Sequence, residues 1–393
     1  MNDDYGMTVD PQEDREQVLR DALEKALKKT SGNLSDEAKK AMRDYQEWGQ
    51  GPLTGMVPAT REEIIREIKA KPAALKTSYT IDGEPLLLQS GALSVIVAPT
   101  GHGKTTLLIN LLLDAVKLYP NRRHWLFSYE EDRTAVMIKT LNAYCNMPFS
   151  KNNKSTIQSY YAQDTDQYFS QNREHFKERE KEFWQLVESG SLNIIPCGYR
   201  DYYSEKLMRF LAALSEDSPG FIGIDYLQLL YSEFRDKYTA RTEELKRICL
   251  DLKDLAVEKK LSVLAAAQFN RTVQYPIHMA SQSIADAADI ERAANKIIGL
   301  WNGHFRPAET GDAANKAGTK HMNDKHIEEN TIYLEVLKAR DERAGGCGVY
   351  PYNGNTGVIG PEKGDLMLNI EQMVQSKEKK AGKTGPFSLK DLR

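Results

Sequence analysis

The sequence predicts an α/β fold, in which a mostly parallel central sheet is flanked by helices and preceded by short N-terminal helices. Two observations support this prediction. From about residue 76, short and almost continuously apolar segments alternate with longer helical segments, which is typical of parallel strands buried on both faces. In addition, a glycine-rich loop joins one apolar segment directly to an apolar helix, as phosphate-binding α/β proteins require.

Seven segments are predicted to be strands of this sheet from their short apolar runs. They are Leu93–Val97, Trp125–Ser128, Leu192–Ile195, Phe221–Ile224, Ser262–Ala267, Ile297–Trp301 and Thr331–Leu337. The segment 150–190 is polar, aromatic and helical in tendency. We interpret it as an elaboration of the fold.

Three parts are expected along the chain. Residues 1–75 consist of short charged helices and a linker, residues 76–360 form the core, and residues 361–393 form an extension whose Lys-rich tail is expected to be disordered. Two of the short helices lie within residues 1–50. A third opens at Thr60, where Glu63 completes a capping box, and it ends before Lys71 and Pro72.

Composition limits the function classes. The chain has 393 residues, a net charge of −3 and no apolar run close to the ~20 residues that span a bilayer. Its N-terminus lacks a secretion signal, so a cytoplasmic location without a membrane partner is expected. The four cysteines form no CxxC pair, which favours reduced thiols over a zinc site. The charge argues against a globally basic nucleic-acid coat but permits DNA binding by local loops.

The glycine-rich loop is predicted to bind the phosphates of ATP. It comprises Ala98, Pro99, Thr100, Gly101, His102, Gly103, Lys104, Thr105 and Thr106. Glycines let backbone N–H groups face the phosphates, and the following helix N-terminus favours negative charge. Lys104 is expected to reach the β- and γ-phosphates, and the Thr105 hydroxyl to ligate Mg²⁺. The alternative is a coincidental glycine-rich turn.

Two carboxylates complete this prediction. Asp225 ends the apolar run Phe221–Ile224 and is expected to help hold Mg²⁺, although it could be an ordinary capping residue. Hydrolysis also needs a base that orients the attacking water. Glu130 follows a predicted strand and is our candidate, whereas the adjacent Glu131 would point elsewhere; the alternative is a solvated acidic turn.

Six short segments, which occur along the chain in the family's order, resemble the DnaB-like replicative helicases, which are RecA-type hexameric motors. Residues 224–230 read IDYLQLL, similar to the family signature IDYLQL, and residues 127–130 read FSYE where the family has FSLE. Residues 252–256 (LKDLA) and 267–271 (AQFNR) resemble LKxLA and SQLNR. Residues 288–295 (ADIERAAN) are a looser match to SGxIEQDAD, and residues 338–340 (KAR) stand where the family has KxR.

The resemblance implies a RecA-like P-loop NTPase that acts as a ring-shaped helicase on single-stranded DNA, 5′→3′, with itself and replication or accessory proteins as partners. It also implies that Gln268 contacts the γ-phosphate or the water, and that Lys338 and Arg340 act in the nucleotide site of a neighbouring subunit. The alternatives are a strand-terminal polar residue for Gln268 and a solvent-facing basic pair for Lys338 and Arg340.

In such a ring, two loops are expected to face the central channel and contact DNA. Loop A comprises residues 231–241 and offers Arg235, Lys237 and Arg241. Loop B comprises residues 271–282 and offers Arg271, Gln274 and His278. A few positive charges per subunit suffice for non-specific phosphate binding, but each could also belong to a solvated face.

The sequence departs from the family before the core. Family members carry a substantial N-terminal helical domain, whereas about 75 residues precede the core here, which leaves contacts with primase and loader open. Residues 61–70 could pack on the next subunit and close the ring, or pack on the core of their own chain. A RecA/KaiC-type, ATP-switched assembly protein without unwinding activity and a recombinase-like filament are the rival interpretations.

Overall fold

The chain divides into two units, residues 1–71 and 72–393. The computed structural model describes residues 61–70, 73–151, 154–162, 167–197, 203–214, 219–233, 240–274, 276–285, 288–304, 330–340 and 344–360. In the first unit, helix α1 (Arg61–Ala70) confirms the third predicted helix. The predicted cap at Thr60, the two helices within residues 1–50 and the tail 361–393 lie outside the described residues.

The second unit alternates strands and helices as the sequence predicts. Its elements are β1 (Leu75–Ile81), β2 (Glu84–Leu88), β3 (Ala92–Ala98), α2 (Lys104–Leu118), β4 (Arg123–Ser128), α3 (Arg133–Cys145), β5 (Ser150–Lys151), β6 (Lys154–Ser155), α4 (Thr156–Tyr161), α5 (Gln167–Glu188), β7 (Leu192–Pro196), α6 (Ser204–Ala212), β8 (Pro219–Asp225), α7 (Arg241–Glu258), β9 (Ser262–Gln268), α8 (Ala288–Ala293), β10 (Lys296–Asn302), β11 (Thr331–Ala339), β12 (Cys347–Asn353) and β13 (Val358–Ile359).

In the described residues, nine of these strands form one sheet in the order β13-β12-β11-β10-β3-β9-β8-β4-β7. The six strands from β10 to β7 are mutually parallel, whereas β11, β12 and β13 continue the sheet antiparallel. All seven predicted strands are therefore confirmed, and so is the mostly parallel sheet. The predicted strand at Thr331–Leu337 is the one that runs antiparallel.

Both faces of the sheet are covered, which explains why its strands are almost continuously apolar. In β3, Val95 and Val97 belong to one apolar core and Ile96 to the other, as expected when successive side chains alternate between faces. Helices α2 and α3 contribute to the core that contains Ile96. Helices α6, α7 and α8 contribute to the opposite core.

The segment 150–190 extends the first of these cores. Helix α5 contacts α3 and β7, and it buries Phe176 and Phe183. This segment therefore covers the sheet near its β7 edge. Within the described ranges, no helix is both long and apolar enough to cross a bilayer.

Candidate nucleotide-binding site

The phosphate loop connects the carboxyl end of β3 to the first turn of α2. Gly101 and Gly103 have φ angles of 80° and 98°, in the left-handed region that glycine adopts at little cost. Helix α2 begins at Lys104 without a side-chain cap. The first N–H groups of any helix have no intrahelical partners, and here no side chain caps them. They therefore form a site for an anion such as phosphate.

Thr105 and Asp225 meet at the base of this loop. The Thr105 hydroxyl donates to Asp225 Oδ2 at 2.6 Å, and the Asp225 side chain is fully buried. Its other oxygen, Oδ1, has no hydrogen-bond partner among the described residues. Burial raises the pKa of Asp225 to about 6, whereas the Thr105 hydrogen bond acts in the opposite direction. A hydroxyl next to a half-satisfied carboxylate is a donor set that suits Mg²⁺.

Lys104 is a charged side chain close to this pair. It is buried, its Nζ lies 3.4 Å from the Pro99 carbonyl oxygen, and it lies 5.9 Å from the centre of the Tyr226 ring. Burial lowers the pKa of Lys104, while the nearby carboxylates Glu130 and Asp225 raise it. Lys104 therefore lies close to both predicted carboxylates.

Glu130 and Glu131 differ in their surroundings. Strands β4 and β8 are parallel with Ser128 opposite Asp225, so Glu130 follows its strand at the same edge of the sheet as Asp225. Its side chain is exposed. Glu131 instead forms an ion pair with Lys139, and its Oε2 is buried. The structure thus leaves Glu130 accessible and engages Glu131 elsewhere.

Gln268 reaches the phosphate loop from the end of β9. Its Nε2 donates to the Thr100 hydroxyl, and its strand pairs with β3 so that Gln268 lies opposite Ala98. His102 is buried against Trp301, with ring centres 4.3 Å apart, and its Nδ1 accepts from the Asn302 N–H. Burial lowers the pKa of His102 to about 4, with a further contribution from Lys104. Its side chain thus fastens the loop to β10 as a neutral group.

Lys338 and Arg340 lie at the amino ends of the parallel strands, the end of the sheet opposite the phosphate loop. The Lys338 ammonium donates to the Glu291 carbonyl, and the Arg340 guanidinium to the Arg292 carbonyl. Residue 339 pairs with residue 296, which is level with residue 94. The phosphate loop begins at residue 98, about 13 Å further along β3 at ~3.3 Å per residue. The structure does not bring these two side chains to the phosphate loop of their own chain.

A polar cleft beside the loop was missed by the sequence analysis. It has a volume of about 740 Å³ and is lined by Gly101, Asn302, His304, Asn330, Tyr352, Asn353, Gly354 and Asn355. Tyr352 shares a side-chain hydrogen bond with Thr106. The hairpin β12–β13 is held by Asn110, whose Nδ2 donates to the Gly357 carbonyl and whose Oδ1 accepts from the Ile359 N–H. A lone asparagine in the apolar run of α2 was the only available signal for this contact.

Comparison with known proteins decides the family. The family model of the DnaB-like helicase C-terminal domain matches residues 79–347. The chain belongs to the DnaB-like helicase family. The resemblance seen in the sequence motifs is thereby confirmed.

Similar proteins agree with this assignment. The replicative DNA helicase DnaB of Helicobacter pylori is 25% identical over 255 residues, which are 64% of this chain and 47% of that protein. The protein of the same name from Mycoplasma genitalium is 28% identical over 191 residues, which are 47% of this chain and 36% of that protein. The chain spans less than half the length of these relatives.

Solved structures show the fold. A DnaB-like replicative helicase, solved in a study of its interactions with primase, has a TM-score of 0.56 at 15% identity and covers 89% of this chain and 77% of its own. A solved ATPase domain has the same TM-score at 16% identity and covers 80% of this chain and 99% of its own. The fold is therefore the RecA-like α/β fold that the sequence predicts.

The two loops that a DnaB-like helicase was expected to present to DNA differ in the structure. In loop B, Arg271, Gln274 and His278 are exposed. In loop A, Arg235 and Lys237 lie outside the described residues. For Arg241 the expectation needs correction, because its guanidinium forms an ion pair with Glu244 at 2.6 Å and donates to two main-chain carbonyls. This side chain joins the start of α7 to the residues that follow β8 and is not available to DNA phosphates.

Proposed function

We propose that this chain hydrolyses ATP between the subunits of a ring, which we expect to be a hexamer, and moves 5′→3′ along single-stranded DNA to separate a duplex. The observation that supports hydrolysis most directly is the buried Thr105–Asp225 pair beside Lys104. Family membership supports the helicase activity. Replication or accessory proteins remain expected partners.

In this proposal, the phosphates rest on the first N–H groups of α2, and Lys104 neutralises charge on the β- and γ-phosphates. Thr105 and Asp225 would hold Mg²⁺, which supplies further positive charge to the phosphates when it is bound. The nucleoside would occupy the asparagine-lined cleft next to Gly101, whose volume is within the usual range for small-molecule sites.

Hydrolysis adds one water molecule to ATP and yields ADP, inorganic phosphate and a proton. The water oxygen attacks the γ-phosphorus while the bond to the β-phosphate oxygen breaks. Glu130 would orient this water and accept its proton, because its exposed carboxylate follows β4 at the same end of the sheet as Asp225. Gln268, already hydrogen-bonded to Thr100, would detect the γ-phosphate.

Lys338 and Arg340 would complete the site of the neighbouring subunit. They lie at the opposite end of the parallel strands from the phosphate loop of their own chain. This distance disfavours a contribution to the nucleotide site of the same chain. A guanidinium from a neighbour can neutralise the charge that builds on the transferred phosphoryl group. Arg271, Gln274 and His278 on loop B would then contact DNA phosphates in the channel.

The experiment is ATP hydrolysis with and without single-stranded DNA, comparing the wild type with Glu130→Gln and Glu131→Gln. We expect DNA to stimulate the wild type and Glu130→Gln to bind nucleotide but lose hydrolysis. Glu131→Gln is the matched control and should retain most activity, since Glu131 is engaged with Lys139. Hydrolysis that ignores DNA while ATP still changes the assembly state would favour the ATP-switched scaffold instead.

A further inference from the structure

Gln228 lies where loop A and loop B leave the sheet. It belongs to the single turn of 3₁₀ helix, Leu227–Leu229, that follows β8. Its side-chain Nε2 is 3.3 Å from the Ala285 carbonyl oxygen and 3.5 Å from the Gln268 carbonyl oxygen, and donates to both. Its own carbonyl accepts from Arg241 Nη2 at 3.0 Å.

The two carbonyls that Gln228 binds mark the base of loop B. The Ala285 N–H donates to the Gln268 carbonyl at 2.8 Å, and the Asn270 N–H donates to the Ser283 carbonyl at 2.9 Å. These main-chain bonds bring together the two ends of loop B. The end of β9 is thus joined by main-chain hydrogen bonds to the segment in which loop B returns.

The base of loop A is closed by Arg241. Besides Gln228, its guanidinium donates to the Leu230 carbonyl at 2.7 Å and pairs with Glu244 at 2.6 Å. Glu244 accepts in turn from the Ser232 N–H at 2.8 Å. Residues on the two sides of loop A are thus joined, and Gln228 contacts the bases of both loops.

Gln268 connects this junction to the nucleotide site. Its side chain donates to Thr100 in the phosphate loop, while its carbonyl accepts from Gln228 and Ala285. A continuous path of hydrogen bonds therefore runs from the phosphate loop through Gln268 and Gln228 to Arg241.

The hydrogen bonding of the Gln228 side chain is one-sided. Gln228 Oε1 is buried and has no hydrogen-bond partner among the described residues. A buried acceptor without a partner costs free energy, which an apolar side chain of similar shape would avoid. The amide donor must therefore offer something that offsets this cost.

We infer that Gln228 is a positioning residue that couples the nucleotide state detected by Gln268 to loop A and loop B together. The inference rests on the proposed function, in which nucleotide and single-stranded DNA bind at these places. With the Gln228 amide in place, a shift of Gln268 reaches the base of loop A as well as loop B. Without it, loop B stays joined to Gln268 by main-chain bonds, but the hydrogen-bonded link from Gln268 to the base of loop A is lost.

The test compares Gln228→Met, which keeps the shape but removes the donor, with Gln185→Met on the exposed side of α5. ATP hydrolysis is measured without and with single-stranded DNA, and DNA affinity by fluorescence anisotropy with a non-hydrolysable ATP analogue and with ADP. For Gln228→Met we expect a DNA-free rate within about twofold of wild type, a loss of DNA stimulation and a ratio of the two affinities about tenfold closer to one, a typical size for coupling between sites.

Each other result has a defined meaning. If Gln228→Met keeps the stimulation and affinity ratio of Gln185→Met, the inference is wrong. If its DNA-free rate falls in the same proportion as the stimulated rate, Gln228 supports the site itself and the coupling role is again wrong. If the wild type shows no response to DNA, the proposed function fails before the variants are compared, which separates the two failures.

Discussion

Asp225 is a buried carboxylate whose hydrogen bonding is incomplete. It is fully buried, and a buried carboxylate favours its protonated form unless charges or donors compensate. Thr105 supplies one hydrogen bond, while Oδ1 has no partner among the described residues. A buried carboxylate with one unsatisfied oxygen lowers the stability of the protein without bound metal. Binding of a cation to that oxygen offsets this cost.

The first prediction concerns Asp225→Asn. Removing a buried charge should raise the free energy of unfolding of the metal-free protein by about 1–3 kcal/mol at neutral pH. The same change should reduce Mg²⁺-dependent ATP hydrolysis about 10²-fold or more, because transition-state charge loses its stabilisation. Thermal unfolding and hydrolysis assays measure both effects.

The matched control is Asp114→Asn. Asp114 accepts from both the main-chain N–H and the hydroxyl of Ser78, at 2.7 and 2.5 Å, away from the phosphate loop. We expect it to lower stability and spare hydrolysis, the reverse of Asp225→Asn. A lower melting temperature for metal-free Asp225→Asn would contradict the uncompensated burial.

The second prediction is a pH dependence with a defined sign. Because burial raises the pKa of Asp225 from 3.8 to about 6, the folded protein binds a proton that the unfolded chain has released. Stability contributed by this group therefore falls as the pH rises from about 4 to about 6, and is constant above. The stability advantage of Asp225→Asn over wild type should grow across that window.

Comparing the two proteins also removes the contribution of His102. Its pKa is lowered from 6.5 to about 4 by burial, so its contribution has the opposite sign and is lost as the pH falls through this range. Denaturant titrations of both proteins at several pH values give the difference. A constant difference from pH 4 to pH 7 would show that Asp225 does not titrate as described.

At the scale of elements, sequence patterns predicted the buried parallel strands and missed the exposed ones. Strands such as β3 and β9 are buried on both faces, so their whole run is apolar and easily recognised. Strand β1 alternates between buried and exposed residues, and β12 contains Gly348 and Pro351, which are atypical of central strands. No pattern in the sequence of β11 distinguishes this antiparallel strand from the parallel strands of the sheet.

In the candidate site too, some residues could be predicted from the sequence and some contacts could not. Lys104, Thr105 and Asp225 were predictable because each follows or ends an apolar run at a recognisable spacing. The contacts of Asn110 with Gly357, of Tyr352 with Thr106 and of Gln228 with Ala285 join distant segments. Such contacts depend on topology, which no local pattern specifies.

The third prediction separates Arg241 from Arg271. Arg241→Ala leaves the buried Glu244 carboxylate without its ion pair, and breaking a buried pair in this way costs about 3 kcal/mol. Arg271 is exposed on loop B, so Arg271→Ala should leave stability unchanged and reduce the salt dependence of DNA binding by about one unit of slope. Denaturant unfolding and salt titrations of DNA affinity measure both; equal loss of stability in the two variants would contradict this division of roles.

At the scale of the whole molecule, one chain carries the residues of the proposed nucleotide site at opposite ends of its parallel strands. The phosphate loop, Asp225 and Glu130 lie at the carboxyl ends of the parallel strands. Lys338 and Arg340 lie at the amino ends. If each chain contributes both edges to a closed ring, every interface contains one complete site.

The fourth prediction follows from this arrangement. Glu130→Ala and Arg340→Ala should each lose hydrolysis about 10³-fold, the usual scale for an arginine supplied by a neighbour. When the two variants are mixed in equal amounts and allowed to exchange subunits, about one interface in four joins an intact Glu130 to an intact Arg340. Hydrolysis should therefore recover to about a quarter of the wild-type rate if the interfaces act independently.

The control mixes Glu130→Ala with the double variant Glu130→Ala/Arg340→Ala, in which no interface has an intact Glu130 and no recovery is expected. Light scattering establishes that all mixtures have the same assembly size. Recovery in the first mixture alone requires that Glu130 and Arg340 of one site come from different chains. Equal assembly without recovery would show that Arg340 does not act on its neighbour, because exchange would then have joined intact partners to no effect.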